Sequence, residues 1–522
     1  EEDHRFLSNP EGEITRVFGK AGVHETEMEA ILYESGIDEA FPPDVEAEAE
    51  SIPRVITEAD ISYRRDFRGV PTCTIDPVDA KDFDDALSFQ EIKSEDGKKM
   101  YEIGVHIADA SHYVTEDSAL DREAMRRATS VYMVDRVVPM LPEVLSNGLC
   151  SLRPNEDKLT FSAVFHLDED ANVVKEWFGK TIIHSNKRFT YEEAQEVLDK
   201  GEGPMAGELK KMNELAYKLR DKKFAAGAIA FEDEEIRFHL DETGKPIGVY
   251  KKVRGDTHKM IEDYMLLANR KVAEFVSRKF EHKHFVYRNH DLPNIDRIAQ
   301  LSSFIQNFGY SLKISGGVVP SRDINELLVR IDGEPEAKLI QTSILRSMAK
   351  AVYSTKNIGH YGLAFDHYTH FTSPIRRYPD IMVHRLLHAY LSGKETKDQA
   401  HYERLCAHSG EMEVKAVEAE RASQKYKQVE YIKERIGQEF DGVINGVTKW
   451  GMFVETVNEK CEGMIRLADM NDDFYTLDEG TYSLVGQNTG KRLRLGDQIR
   501  VRVKGADLEK KMIDFQLIEK KS

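Results

Sequence analysis

Apolar residues recur along this chain with two different periods. The stretches YEIGVHIAD (residues 101–109) and LTFSAVFHLD (159–168) alternate or run apolar as half-buried strands do. HKMIEDYMLLANRKVAEFVSRKF (258–280) instead places Ile261, Met265, Ala268, Val272 and Val276 at helical spacing. The two patterns mix from about residue 61 to residue 393, which predicts one large α/β domain with a mixed sheet and surrounding helices. A second long helix, highly charged, is predicted over roughly 401–436, with Gly437 as its C-terminal cap. Residues 439–519 change character. Short strands separated by Gly and Asp turns predict an all-β, five-stranded OB-type barrel.

Ahead of the α/β domain, GEITRVFGKAG (12–22) reads as the last strand of a small β domain, its exit punctuated by Gly19 and Gly22. A short helix follows in ETEMEAILYESG, with Met28, Ile31 and Leu32 on one face and Gly36 just past its end. FPPDVEAEAESIPRV, rich in Pro and Glu, is expected to be a connector. The expected divisions are 1–22, 23–60, 61–395, 396–437 for the long helix that completes the large domain, and 438–522.

A length of 522 residues with 40% apolar content suits a multidomain globular chain. The four cysteines stand far apart with no CxxC pair, which suggests neither a disulfide framework nor a zinc site and points to a reducing, cytoplasmic setting. No apolar run approaches the ~20 residues needed to cross a bilayer, and the first residues, EEDHRFLSNP, lack a basic and apolar signal, so no membrane partner is expected. The formal net charge of −19 argues against a simple electrostatic sponge for nucleic acid. A basic channel inside an acidic shell is compatible with it. KKVRGDTHK (251–259) shows cations gathering locally, although a solvated charged face is the commoner origin of such a run.

The chemistry concentrates in IDPVDAKDFDDALSF (75–89), which gathers Asp76, Asp79, Asp82, Asp84 and Asp85 within ten residues. Like charges this close disfavour ionisation unless something offsets them. A divalent cation would do so, and Mg2+ is typically held by one or two carboxylates together with a substrate phosphate. In an extended segment Asp82 and Asp84 face one way and Asp85 the other, so convergence requires a turn, for which Pro77, Ala80 and Lys81 are suited. A solvated acidic loop is the alternative. A calcium loop of EF-hand type fits poorly, because Lys81 stands where that motif needs Gly. The flanking Ile75, Ala86, Leu87 and Phe89 favour a cluster held on buried strands.

A second stretch, HFTSPIRRYPDIMVHRLL (370–387), supplies the opposite charge. Pro374 and Pro379 set a rigid turn before a helix whose apolar face is Val383, Leu386, Leu387 and Tyr390, and Arg376 and Arg377 lie in the turn. Guanidinium forks match phosphate oxygens and can neutralise charge that develops during phosphoryl transfer; paired arginines near a helix start also commonly form salt bridges.

Together the two stretches resemble the signatures of the RNB exoribonuclease family of ribonucleases II and R. VHIADASHYV, PMLPEVLSNGLCSLRPNEDKLTFS, IEDYMLLAN, VYRNHD and LRSMAKAVYS extend the resemblance over nearly the whole chain. The terminal barrel, with NDDFYTLDEGTYSLVGQNTGKRLRLGDQIRVRV, resembles the S1 domain of the ribonuclease R branch, and the first residues resemble the tail of a cold-shock (OB-fold) domain. Relative to that branch the resemblance implies an N-terminally truncated chain that lacks the long lysine-rich tail. The resemblance implies processive, Mg2+-dependent hydrolysis of single-stranded RNA from a free 3′ end to nucleoside 5′-monophosphates, by a monomer. It makes Asp76, Asp82, Asp84 and Asp85 the catalytic and metal-holding acids, leaves Asp79 structural or solvated, and assigns the catalytic arginine to Arg376 with Arg377 as a further phosphate contact. It matches Tyr132 to an aromatic that packs on the terminal nucleotide and places an active-site glutamate at Glu420, with Glu418 as its rival. In the barrel, Trp450, Phe453, Phe474 and Tyr475 are candidates for stacking on RNA, some of which must instead fill the barrel core.

Overall fold

The computed structural model describes residues 13, 14, 16–231, 235–314, 318–334, 336–478 and 483–520. Its large domain is built on a mixed seven-stranded sheet. The strands are β1 (Arg65–Asp66), β2 (Thr72–Asp76), β3 (Asp85–Lys93), β4 (Lys99–Ala108), β7 (Asp157–Leu167), β8 (Val173–His184) and β9 (Lys187–Thr190), in the spatial order β1-β8-β7-β4-β3-β2-β9. The numbers between β4 and β7 belong to a separate two-stranded hairpin, β5 (Val131–Tyr132) and β6 (Val137–Val138). The central strands pair antiparallel, whereas β1 joins β8 and β9 joins β2 in parallel. β4 is buried at every position after Lys99, so it is covered on both faces and not half-buried as its sequence suggested. His106 is tolerated inside it because both ring nitrogens are hydrogen-bonded, to Ser162 and Ser88.

Helices cover this sheet. Asp256–Lys279 follows the periodicity of its sequence, burying Ile261, Ala268, Val272 and Val276 and half-burying Met265. Tyr378–Leu391 carries Pro379 in its first turn, where a missing N–H leaves no bond unmade. The helix Gln399–Lys433, 35 residues long, runs from the large domain to the terminal barrel. At one place along it, Ser423 accepts a hydrogen bond from the backbone of Val134 beside β5, while Lys425 and Gln428 donate to barrel carbonyls at Glu462 and Lys460.

The barrel closes in the order Glu439–Thr448, Gly451–Thr456, Glu462–Arg466, Met512–Lys520 and Gln498–Asp507, the five strands anticipated. A three-stranded sheet, Tyr475–Asp478, Ser483–Gly486 and Arg492–Arg494, is added to it.

Three local expectations need correction. The Pro- and Glu-rich connector contains a helix, Pro43–Ser51: proline occupies its first position and Val45 and Ala49, one turn apart, are buried. Residues 13, 14 and 16–22 form no strand, since no described strand lies beside them to supply a ladder; residues 1–12 and 15 of that expected domain lie outside the described residues. The long helix stops at Lys433 rather than Ile436. Gly437, with a positive φ of 87°, ends the turn that follows and donates to Val503 of the barrel, so it serves the junction and not the helix end.

Candidate active site

β2 ends at Asp76 and β3 begins at Asp85, so the aspartate run is the loop between two antiparallel neighbours in the sheet. The expected turn forms at its start, where Ala80 donates to the Pro77 carbonyl. At the far end Phe83 is buried and its backbone is held on both sides, with its N–H on Ser151 Oγ and its carbonyl accepting from Leu152. Ser151 also donates to the Lys81 carbonyl at 2.7 Å. Asp79 faces solvent, while Asp84 is buried and Asp76, Asp82 and Asp85 are half-buried.

The arginine turn is shaped by Asp380 from the first turn of the helix Tyr378–Leu391. Its Oδ1 accepts from the Ser373 N–H and from Arg377 Nη2, both at 2.8 Å. Arg377 is therefore spent in part on the turn itself. That turn meets the aspartate loop: the Ile375 N–H donates to Asp84 Oδ1 at 2.9 Å, and Arg376 Nε stands 3.6 Å from Asp84 Oδ2. Arg376 also donates to Ser373 Oγ at 2.9 Å and remains 41% exposed. Its carbonyl accepts from Ser130, immediately before β5, which brings Tyr132 to the same place. Tyr132 is 39% exposed and within electrostatic reach of Arg376, Asp82 and Asp84.

Burial pushes all four acids upward. Asp84 is raised well above the ordinary carboxylate range and Asp82 is raised less, with Arg376 opposing both shifts. Burial lifts Asp85 to about 6, again against the pull of Arg376, and raises Asp76 well above its usual value, with Asp85 adding like-charge repulsion. Asp76 Oδ2 is buried without a hydrogen-bond partner. Among the described residues no group of three or more His, Cys, Asp or Glu side chains is arranged to hold a metal ion alone, so the expected set of four acids is not a closed cage. The arrangement fits a magnesium ion that takes one or two of these carboxylates and draws its other ligands from water and substrate oxygens.

The sequence reading did not single out Arg188 or Tyr191. Both come from β9 and its exit, beside β2: Arg188 partly offsets the upward shift of Asp76, and burial, with Asp85 and Asp76 adding to it, raises the Tyr191 phenol. Tyr191 stacks on the His258 ring at a centroid distance of 3.8 Å. The available signal was the Thr190–Glu193 capping box, which marks a strand turning into a helix at this point.

The remaining candidates separate clearly. Glu420 is half-buried on the long helix, one turn before Ser423, whereas Glu418 is exposed. On the barrel Trp450 is 68% exposed with Lys449 Nζ 5.0 Å from its ring, and Phe474 is 75% exposed. Phe453 lies over Gly446, its pairing partner, and is half-buried. Tyr475 corrects the expectation. It is 8% exposed, packs in the barrel core and spends its hydroxyl on Asp472, so it offers no face for a base to stack on.

Comparison with known proteins places these features in context. Residues 64–393 match the RNB domain, 433–517 the S1 RNA binding domain and 2–42 the cold shock domain. Ribonuclease R of Thermotoga maritima is 39% identical, covering 98% of this chain and 73% of its own length. Ribonuclease R 1 of Lactococcus lactis is 37% identical, covering 99% of this chain and 64% of its own length. The chain thus spans about two thirds to three quarters of these relatives. The structure of Mycoplasma genitalium RNase R in complex with ribose methylated single-stranded RNA superposes with a TM-score of 0.90 at 27% identity, covering 96% of this chain and 79% of that one.

Proposed function

The chain belongs to the RNB family, and on that footing we propose that it is a processive exoribonuclease of ribonuclease R type that shortens single-stranded RNA from a free 3′ end. The observation that carries the reading is the meeting of the aspartate loop and the arginine turn at Asp84 and Ile375, because it sets buried acids and a partly exposed guanidinium around one point. In the reaction a water oxygen bonds to the phosphorus before the terminal nucleotide, the bond from phosphorus to the preceding 3′ oxygen breaks, and that oxygen takes a proton. A nucleoside 5′-monophosphate leaves and the RNA keeps a new 3′ hydroxyl.

Arg376 directs its free N–H groups at the phosphoryl oxygens and stabilises the charge that builds on them. The bond from Ile375 keeps the Asp84 carboxylate at a constant separation from that guanidinium. Tyr132 packs on the terminal base, and Arg377, while bracing the turn, adds positive potential for the phosphate. One or two of Asp76, Asp82, Asp84 and Asp85 would hold Mg2+ directly, with the others around it; when bound, the ion supplies an activated water and offsets charge on the leaving oxygen. Glu420, on the long helix, is our assignment for the active-site glutamate. Trp450, Phe453 and Phe474 offer the incoming strand faces on which bases stack without regard to sequence.

We divide the chain into a cold-shock segment (1–22), a helical connector (23–60), the catalytic domain (61–395) with its long helix (396–437), and the S1 domain (438–522). The enzyme works as a cytoplasmic monomer. The test uses one oligoribonucleotide labelled at its 5′ end and another labelled at its 3′ end, each with Mg2+ and with EDTA. Immediate release of labelled mononucleotide from the 3′-labelled strand and stepwise shortening of the 5′-labelled strand, both abolished by EDTA, are expected. Binding of RNA with no metal-dependent release would instead identify an RNA clamp.

A further inference from the structure

β9 lies parallel to β2 with Arg188 opposite Thr74, two residues before the pair formed by Thr190 and Asp76. From this wall the Arg188 side chain reaches the loop of aspartates at several points. Its Nη2 donates to the carbonyl of Pro77 at 2.6 Å and to that of Val78 at 3.1 Å. Its guanidinium carbon lies 5.5 Å from the centroid of Phe83, at the other end of the loop, and its charge draws the Asp76 carboxylate downward. Pro77 and Val78 are themselves exposed and pack against little, so their backbone is held by this side chain and by the turn from Ala80. The far end is held differently, by Ser151 at Lys81 and Phe83.

We propose that Arg188 is a positioning residue for RNA cleavage: by clamping the Pro77–Val78 carbonyls while lying against Phe83, it fixes the path of the loop that presents Asp76 and Asp82 to the scissile phosphate. The inference rests on the exoribonuclease reading above. It touches no substrate and acts through the loop. A planar guanidinium can donate from one nitrogen to two adjacent carbonyls while its face meets an aromatic ring; an ammonium can keep a carbonyl bond but not that combination. Displacement of a reacting group by about 1 Å costs on the order of 100-fold in rate.

The test compares wild type, Arg188→Ala and Arg188→Lys in single-turnover cleavage, in RNA affinity measured with EDTA, and in limited trypsinolysis of the RNA-free protein. Lys81 is the tryptic site inside the loop and is exposed. For Arg188→Ala we expect kcat to fall about 100-fold, RNA affinity in EDTA to stay within about twofold, and cleavage after Lys81 to accelerate selectively over other tryptic sites, with Arg188→Lys intermediate in both rate and protection. Wild-type turnover in Arg188→Ala, or unchanged cleavage after Lys81, overturns the inference while leaving the exoribonuclease reading intact. Uniformly faster proteolysis in both variants, with lost RNA affinity, overturns it as well, by showing a general structural role. If wild type itself releases no mononucleotide, the functional reading fails first and separately.

Discussion

The backbone N–H of Ile375 donates to the carboxylate of Asp84 across 291 residues of sequence. This bond joins the two segments to which the proposed chemistry is assigned, and it is a hydrogen bond to a carboxyl group in a buried setting. Asp84→Asn keeps an acceptor for Ile375 while removing the negative charge. We expect turnover to fall by at least about 100-fold with RNA binding preserved, measured as single-turnover rate against filter-binding affinity. Near-normal turnover would refute the role given to Asp84.

Arg376→Ala removes a guanidinium that opposes the upward shifts of Asp82, Asp84 and Asp85. Loss of its contact with developing phosphoryl charge should slow cleavage about 100-fold to 1,000-fold. Because the remaining acids then hold protons to higher pH, the acidic limb of the rate profile should also move to higher pH. A slower enzyme whose acidic limb stays in place would separate the two effects and remove the electrostatic one.

Asp85 gives a stability prediction of opposite sense to the usual carboxylate. Its folded value of about 6 lies above the unfolded value near 3.9, so the folded state binds the proton more tightly and stability falls as pH rises through that window. Asp85→Asn should therefore raise the melting temperature in EDTA at pH 7.5 by a few degrees, on the order expected for a small gain, with the gain fading as pH drops towards 4. The same variant should be inactive. Calorimetry at the two pH values decides it, and equal melting points at pH 7.5 would count against the shift.

Trp450 projects from the barrel, and its loss exposes no core. Trp450→Ala should leave the melting point unchanged and weaken binding of long RNA by about 5-fold to 150-fold, the worth of one stacked base at ~1–3 kcal/mol. Short oligonucleotides that do not extend to the barrel should be unaffected. Equal affinity of both proteins for a long RNA would remove Trp450 from the binding surface.

Much of this architecture was legible because its signals are local. Alternation in residues 101–109 marked β4, and helical spacing marked Asp256–Lys279. The aspartate run and the arginine turn were visible as charge patterns framed by apolar residues. What the sequence could not reveal depends on partners in space. Tyr475 and Phe474 are neighbours of the same chemical type, and only the barrel decides that one is core and the other solvent-facing. Arg188 stands in a short strand whose sequence carries no sign that its side chain crosses to the Pro77 and Val78 carbonyls. The Glu-rich stretch around Val45 looked like a connector because two buried residues, Val45 and Ala49, are too few to make a visible period.

The long helix Gln399–Lys433 grips the hairpin of Tyr132 at Ser423 and the barrel at Lys425 and Gln428, less than two turns apart. Such a strut makes the seat of the barrel and the position of the Tyr132 hairpin one mechanical quantity. If the proposed reading holds, removing the barrel should blunt the cutting step as well as the grip on RNA.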